Sequence, residues 1–477
     1  MQRGHLGLIA VVSLLALSGC ALPDAPDRFD TDRELGYVGG YAHDDAFEFD
    51  DADALTERQL EAVKYRSMAR IEVVREMKFE HDVRLEVISR DEYRSQRGEP
   101  RSASPFVNEV WRGAFIVDGE TDVSQAMNTL YGGAVQGYYT SDRIVIITDD
   151  TDEIRIDRNT LVHELVHALQ DQHFGLDRSG QSIDEQRAEI GLTEGEAEYI
   201  PYLYDQRCGE EWQCLAEYER PPATNLGGTP FNAGLFLSIY APYSEGPPFV
   251  DHLRDRGGWA AVDDAYDDRP ASTSQLIHPE RYPDDRPVDV AVPDRSSDAW
   301  EPFTRGGEPR TETVGEATLF ATLWTNDVVD RWLTDGATDL SPYNYSYPAT
   351  DGWTGDTIQV YHDADDEDRT GHVWKLAWES DDDADKFAAA YRTLLENRGA
   401  TAVERADDVY RIEDGEAFAG AYRVTIDGDR VEIVGAPTVD DLEAIHGSET
   451  ASATLEEPVT VATPATSVPG PVVAARP

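Results

Sequence analysis

The stretch HELVHALQDQH, His163 to His173, constrains this chain more than any other feature. His163 and His167 are four residues apart, so on a helix their imidazoles project from one face, one turn above the other, and can share one ion. Glu164 lies between them angularly, where its carboxylate can reach water at that ion without becoming a ligand. Leu161, Leu165, Val166, Ala168 and Leu169 make an apolar stripe, so the segment is expected to be a helix buried along one side. Asp157 or Asn159 can cap its start. Just before it stands RIVIIT, Arg143 to Thr148, which reads as a strand, as does the earlier VRLEVIS, Val83 to Ser89.

Two residues compete to be the third ligand. His173 falls at the offset of the pattern H-E-x-x-H-x-x-G-x-x-H. The glycine that lets the chain leave the helix is replaced here by Gln170, and Met1, Met68, Met77 and Met127 all precede the motif, so no methionine turn can follow it. His173 therefore reads as a C-terminal turn residue that suits the helix dipole, and the metzincin pattern is set aside. The other claimant is Glu194 in LTEGEAEYI. Ile190, Ala197 and Pro201 share its helical face, and a carboxylate on an otherwise apolar face needs a strong partner. Gly191 and Gly195 are expected to let this second helix approach the motif helix closely. Glu198, one turn on, is placed to hydrogen-bond a ligand imidazole from behind.

HELVH followed by LTEGEAEYI resembles the gluzincins, HExxH zinc peptidases of the thermolysin and aminopeptidase-N type. Their third ligand is a glutamate in N-E-x-x-A or N-E-G-x-A, and Thr193 stands here for the usual asparagine. Across Arg143 to Ile200 the strand, motif helix and glutamate helix occur in that family's order. The resemblance implies that His163, His167 and Glu194 hold one catalytic Zn2+, that Glu164 is the general base, and that Glu198 supports an imidazole. It also implies a peptide or protein substrate, held extended along a strand such as RIVIIT if that strand lies at a sheet edge. Candidates for stabilising the transition state are His278, Tyr282, Tyr138 and Tyr139, with His362 and His372 weaker. No G-x-M-E-N segment of the kind that anchors substrate amino termini in the aminopeptidases is present, which favours an endopeptidase. The competing reading is a non-catalytic cell-surface binding or structural protein on a retained zincin scaffold. Such a protein is expected to lose Glu164 or a ligand first, and neither is lost.

The chain opens MQRGHLGLIAVVSLLALSGC, with Arg3, an apolar run from Leu6 to Leu17 too short to span a bilayer, and small residues before Cys20. LSGC resembles a lipobox. It implies a signal peptide over 1–19, a lipidated Cys20, and a protein anchored to the cell membrane on its extracellular side. Residues 20–54 are acidic and rich in turn formers and read as a solvated tether. Residues 55–345 are expected to form the zincin-like metallopeptidase domain, its glutamate helix opening at a Ser182/Glu185 capping box. A helical region broken by Pro and Gly follows. Residues 346–446 read as a small α+β unit containing the strand HVWKLAWES, an amphipathic helix from Ala384 to Leu395, and a hairpin with Asp427-Gly428 at its turn. Residues 447–477 read as a disordered Thr/Pro/Ala/Val-rich tail. The fold class is thus α+β: a mixed sheet with an edge strand, an active-site helix and a glutamate helix, then helices, then the C-terminal unit. Outside the cytoplasm Cys208 and Cys214 in CGEEWQC are expected to form a disulfide.

The balance of 94 acidic against 41 basic residues gives a net charge of -53 and a pI near 4.3. Lysine occurs only at 64, 78, 375 and 386. That surface repels nucleic acid, and its self-repulsion calls for concentrated screening cations, so the chain reads as halophilic. HALQDQHF, STSQLIHPE and GWTGD resemble segments of haloarchaeal surface lipoproteins predicted to be metallopeptidases.

Overall fold

The computed structural model describes residues 29–49, 54–97, 101–134, 136–148, 151, 154, 156–177, 179–215 and 231–447. Cys20, the signal segment and the tail from 448 lie outside the described residues. The fold is α+β.

RIVIIT is buried on both faces: Ile144, Val145, Ile146 and Ile147 are each no more than 7% exposed. A continuous apolar run of this kind belongs in the middle of a sheet, and there it lies. Arg143–Thr148 is the central strand of three, parallel to Arg84–Ser89 on one side and antiparallel to Gly137–Thr140 on the other. The expected edge position is therefore taken by Gly137–Thr140. Ile144 and Ile146 pack toward the helices, whereas Val145 and Ile147 meet Ile88, Tyr93 and Tyr138.

Glu57–Arg75 forms the first long helix, its Thr56 cap exchanging hydrogen bonds with Gln59 in both directions. The segment expected as a solvated tether is docked against it from residue 29. Tyr37–Val38 and Tyr41–Ala42 form a small hairpin, with Val38 fully buried. Arg33 makes a buried ion pair with Glu72, whose carboxylate also accepts from the Gly36 and Phe79 backbone. At Gly39, with φ +59°, any Cβ would strike the Tyr65 ring at 2.3 Å, so the hairpin can seat only on a glycine.

Three helices then build the site wall: the motif helix Arg158–His173, the glutamate helix Ile183–Asp205 and a long helix Ala233–Gly257. Gly191 and Gly195 do not face the motif helix. A Cβ on Gly195 would lie 2.4 Å from the Gly246 carbonyl carbon, and one on Gly191 would meet Leu276 at 2.1 Å. The glycines allow the glutamate helix to cross the long helix backbone to backbone. Cys208 and Cys214 are disulfide-bonded just beyond the glutamate helix.

The C-terminal part is an eight-stranded antiparallel sheet in the order 401–402, 409–412, 420–427, 430–436, 366–378, 353–363, 300–302, with 311–312 also on 353–363. It thus draws strands from well before residue 346. Helices Pro105–Gly113, Gly315–Thr325 and Asp381–Asn397 cover one face. The hairpin turn falls one residue later than expected, since Asp427 pairs with Arg430 and Gly428-Asp429 make the turn. This sheet grips the start of the glutamate helix: Glu312 accepts from the Ile183 N–H at 2.7 Å, and the Thr313 carbonyl accepts from the Asp184 N–H at 3.1 Å.

Candidate metal centre

The motif helix begins where Asp157 accepts from the Asn159 and Thr160 N–H groups. Its stripe of Leu161, Leu165, Val166, Ala168 and Leu169 is buried, which turns His163, Glu164 and His167 toward a cleft. Ser182 caps the glutamate helix by accepting from the Glu185 N–H at 3.1 Å; the Glu185 carboxylate in return accepts from the Gln181 N–H at 2.7 Å rather than from that of Ser182. The sheet's grip on that end and the glycine crossing fix its height, and Glu194 comes to face the two imidazoles.

His163 Nε2, His167 Nε2 and Glu194 Oε2 form a near-equilateral triangle with edges of 3.1, 3.2 and 3.2 Å. Ligands at roughly 2.0–2.1 Å from a tetrahedral zinc stand about 3.3 Å apart, so the spacing fits. Glu194 Oε2 is buried without a hydrogen bond. Three acceptor-capable atoms held together, with no donor satisfying that carboxylate oxygen, are what one cation would reconcile. Glu198 Oε1 lies 3.3 Å from His163 Nδ1, as the sequence led one to expect.

The electrostatics follow the same geometry. Burial raises the Glu194 pKa, but the two imidazoles outweigh it and hold the carboxyl well below its usual range. Burial lowers the His163 and His167 pKa values, and their carboxylate partners reverse this and raise both. Glu164, 7% exposed, is pushed up mainly by burial against the opposing imidazoles, with the Tyr139 N–H also lowering it. A carboxylate carried upward from its ordinary value is a better proton acceptor near neutrality.

Two cavities flank the triangle. The larger, about 790 Å³, is lined by His163, Glu164, Glu198, Tyr240 and Tyr243. A smaller one, about 290 Å³, is lined by His167, Glu194, Tyr138, Tyr139 and Tyr243. Gly137, His163, Glu164 and Tyr243 border both.

Residues 301–446 match the family model described as a domain of unknown function, DUF8575. The match covers most of the C-terminal sheet and stops short of the triangle. No curated protein and no solved structure matches the chain.

Of the four residues expected to stabilise a transition state, Tyr138 and Tyr139 both line the smaller cavity, but the Tyr138 ring packs on Tyr93 on the sheet face away from the helices, and only Tyr139 points toward the motif helix. The Tyr139 hydroxyl donates to Asp171 at 2.8 Å. His278 is instead held by Glu316 at 2.9 Å, and the Tyr282 hydroxyl donates to the Asp268 carbonyl at 2.7 Å; neither lines a cavity at the triangle. His173 donates to the Lys78 carbonyl at 2.7 Å, away from the ligand set. His278, Glu316 and Asp351 form a second convergent group. Arg281, 3.5 Å from the Glu316 carboxylate, already supplies its positive charge, so that group is an ion-pair network joining the helices to the sheet. Sequence reasoning missed Tyr240 and Tyr243, whose i,i+3 spacing in FLSIYAPYSEGPPF puts both on one helical face, and Gln170, described below.

Proposed function

We propose that this chain is a zinc-dependent peptidase of gluzincin type, an endopeptidase with a zincin-like catalytic domain, lipid-anchored through Cys20 on the outer side of the cell membrane. The observation that carries the reading is the triangle of His163, His167 and Glu194 beside the Glu164 carboxyl. Two imidazoles and one carboxylate are a catalytic zinc donor set, and the ion, when bound, acidifies a water and polarises a carbonyl.

Everything else falls to the chain itself. Glu164 takes the proton from the attacking water and returns it to the departing amine nitrogen. Glu198 orients His163 by accepting from its Nδ1–H. Among the described residues no strand pairs with the outer edge of Gly137–Thr140; the Tyr139 N–H is taken by Glu164, and the other outward main-chain groups of that edge are available to an extended peptide. The two cavities on either side of Glu164 let such a peptide continue in both directions, which favours cleavage within a chain over removal of a terminal residue. Aromatic Tyr240 and Tyr243 overhang its path.

The test is metal analysis and peptide cleavage by the protein purified in molar KCl, with its Glu194→Gln and Glu164→Gln variants. Zinc at one per chain, lost in the first variant and kept in the second, with cleavage lost in both, is the expected pattern. Stoichiometric zinc and no cleavage of any peptide by the parent would leave the scaffold reading. Cys20→Ser should move the protein from the membrane fraction to the medium.

A further inference from the structure

His167 is held by a side chain that the motif does not specify. Its Nδ1 lies 2.8 Å from Gln170 Oε1. Gln170 Nε2 in turn reaches the Thr193 carbonyl at 2.9 Å and Glu196 Oε2 at 3.0 Å. Gln170 is 1% exposed, so water cannot substitute for any of these partners. Thr193 O and the ion-paired Glu196 carboxylate are acceptors, so the amide nitrogen must face them and the amide oxygen must face the imidazole. His167 Nδ1 is then the donor, and its Nε2 carries the lone pair directed at the triangle. Glu196 is fixed beyond this by Arg75 Nε and by the Tyr266 hydroxyl at 2.5 Å, and Arg75 also pairs with Asp263.

The two imidazoles are therefore held by different chemistry. His163 has a carboxylate behind it, Glu198, whose side chain is 46% exposed. Behind His167 stands a buried neutral amide that ties the motif helix to the glutamate helix and, through Arg75, to the first helix. We propose that Gln170 is the positioning residue that sets the tautomer and ring plane of His167 for metal binding, and that only an amide can do so. This rests on the metal-binding reading of the triangle. Gln170→Glu would still accept from the imidazole, but it would set a second carboxylate against Glu196 and the Thr193 carbonyl with no donor between them. A carboxylate, the usual reinforcement of a ligand histidine, is the wrong group at this position.

The experiment is a zinc titration against a competing chelator in molar KCl for the wild type, Gln170→Met and Gln170→Glu, with melting of each metal-free protein. Both variants are expected to bind zinc about ten- to a hundred-fold more weakly, with Gln170→Glu no better than Gln170→Met. A second readout, ¹⁵N imidazole spectra of the zinc-loaded wild type, should show a hydrogen on His167 Nδ1 protected from exchange. Gln170→Met should abolish that protection, which a residue acting only in packing would leave alone. Affinities within two-fold of wild type in both variants, or Gln170→Glu binding as tightly as wild type, overturn the proposal. Should the variants not fold, the wild-type spectrum decides: His167 coordinating through Nδ1, or lacking the protected hydrogen, overturns it. A wild type that binds no zinc sinks the metal reading and this inference together; a wild type that binds while the variants bind equally sinks only this one.

Discussion

Replacing Gly195 by alanine should separate two helices and, with them, the third ligand from the first two. The added Cβ would stand 2.4 Å from the Gly246 carbonyl carbon, 2.5 Å from its oxygen and 2.8 Å from its Cα. All three are backbone atoms, so no rotamer change relieves the contact. Reaching an ordinary contact, near the roughly 3.5 Å of two carbons at rest, requires the helices to part by about 1 Å. Overpacking of this kind costs about 1–3 kcal/mol, and the helix preference of alanine over glycine, at most about 1 kcal/mol, offsets part of it. Glu194 precedes the substituted residue and moves with it, and a displacement of about 1 Å at a reacting centre can cost about 10²-fold in rate. Denaturant unfolding in molar KCl, with and without zinc, should give a lower midpoint for Gly195→Ala and a smaller gain on adding zinc. A variant with the parent's midpoint and the parent's zinc affinity would refute the view that this crossing sets the position of Glu194.

Glu164→Gln should keep zinc and lose about 10²–10⁴-fold in peptide cleavage, measured as kcat on a quenched fluorescent peptide. Asp184 is raised to about 7, chiefly by burial, with Asp356 adding to it and Thr273 and Arg187 opposing. The folded chain therefore holds that proton more tightly than the unfolded one, and stability falls as pH rises from about 4 to about 7, by up to about 4 kcal/mol. Asp184→Asn should accordingly gain in melting temperature relative to the parent between pH 5 and pH 8, and parallel curves would contradict this. With a net charge of -53, the protein should melt at progressively higher temperature from 0.1 M to molar KCl, where the Debye length shrinks from about 10 to about 3 Å. A melting temperature indifferent to salt would argue against self-repulsion as a cost to this fold.

What could be read from the sequence was whatever a single helix or hairpin decides. The four-residue histidine spacing, the Asp157 cap and the carboxylate on an apolar face each follow from one period, and the structure brings His163, His167, Glu194 and Glu198 together. What failed depended on which elements become neighbours. RIVIIT looks the same as a string whether it is central or at an edge, although its four consecutive apolar residues favoured the centre. Gly191 and Gly195 announce a close crossing without saying which helix crosses. The sheet that includes residues 300–302 and 311–312 could not be traced because strands of two or three residues leave no periodicity. Gln170 registered only as a missing glycine, because its role requires Thr193 and Glu196 from another helix to be in view.

The docked hairpin shortens the leash. If a lipid holds Cys20, the folded body is fastened from Phe29 onward, and the nine peptide units between, whatever their conformation, span at most about 30 Å. A peptidase so tethered would be confined to what emerges from or lies against the membrane and would leave distant chains untouched.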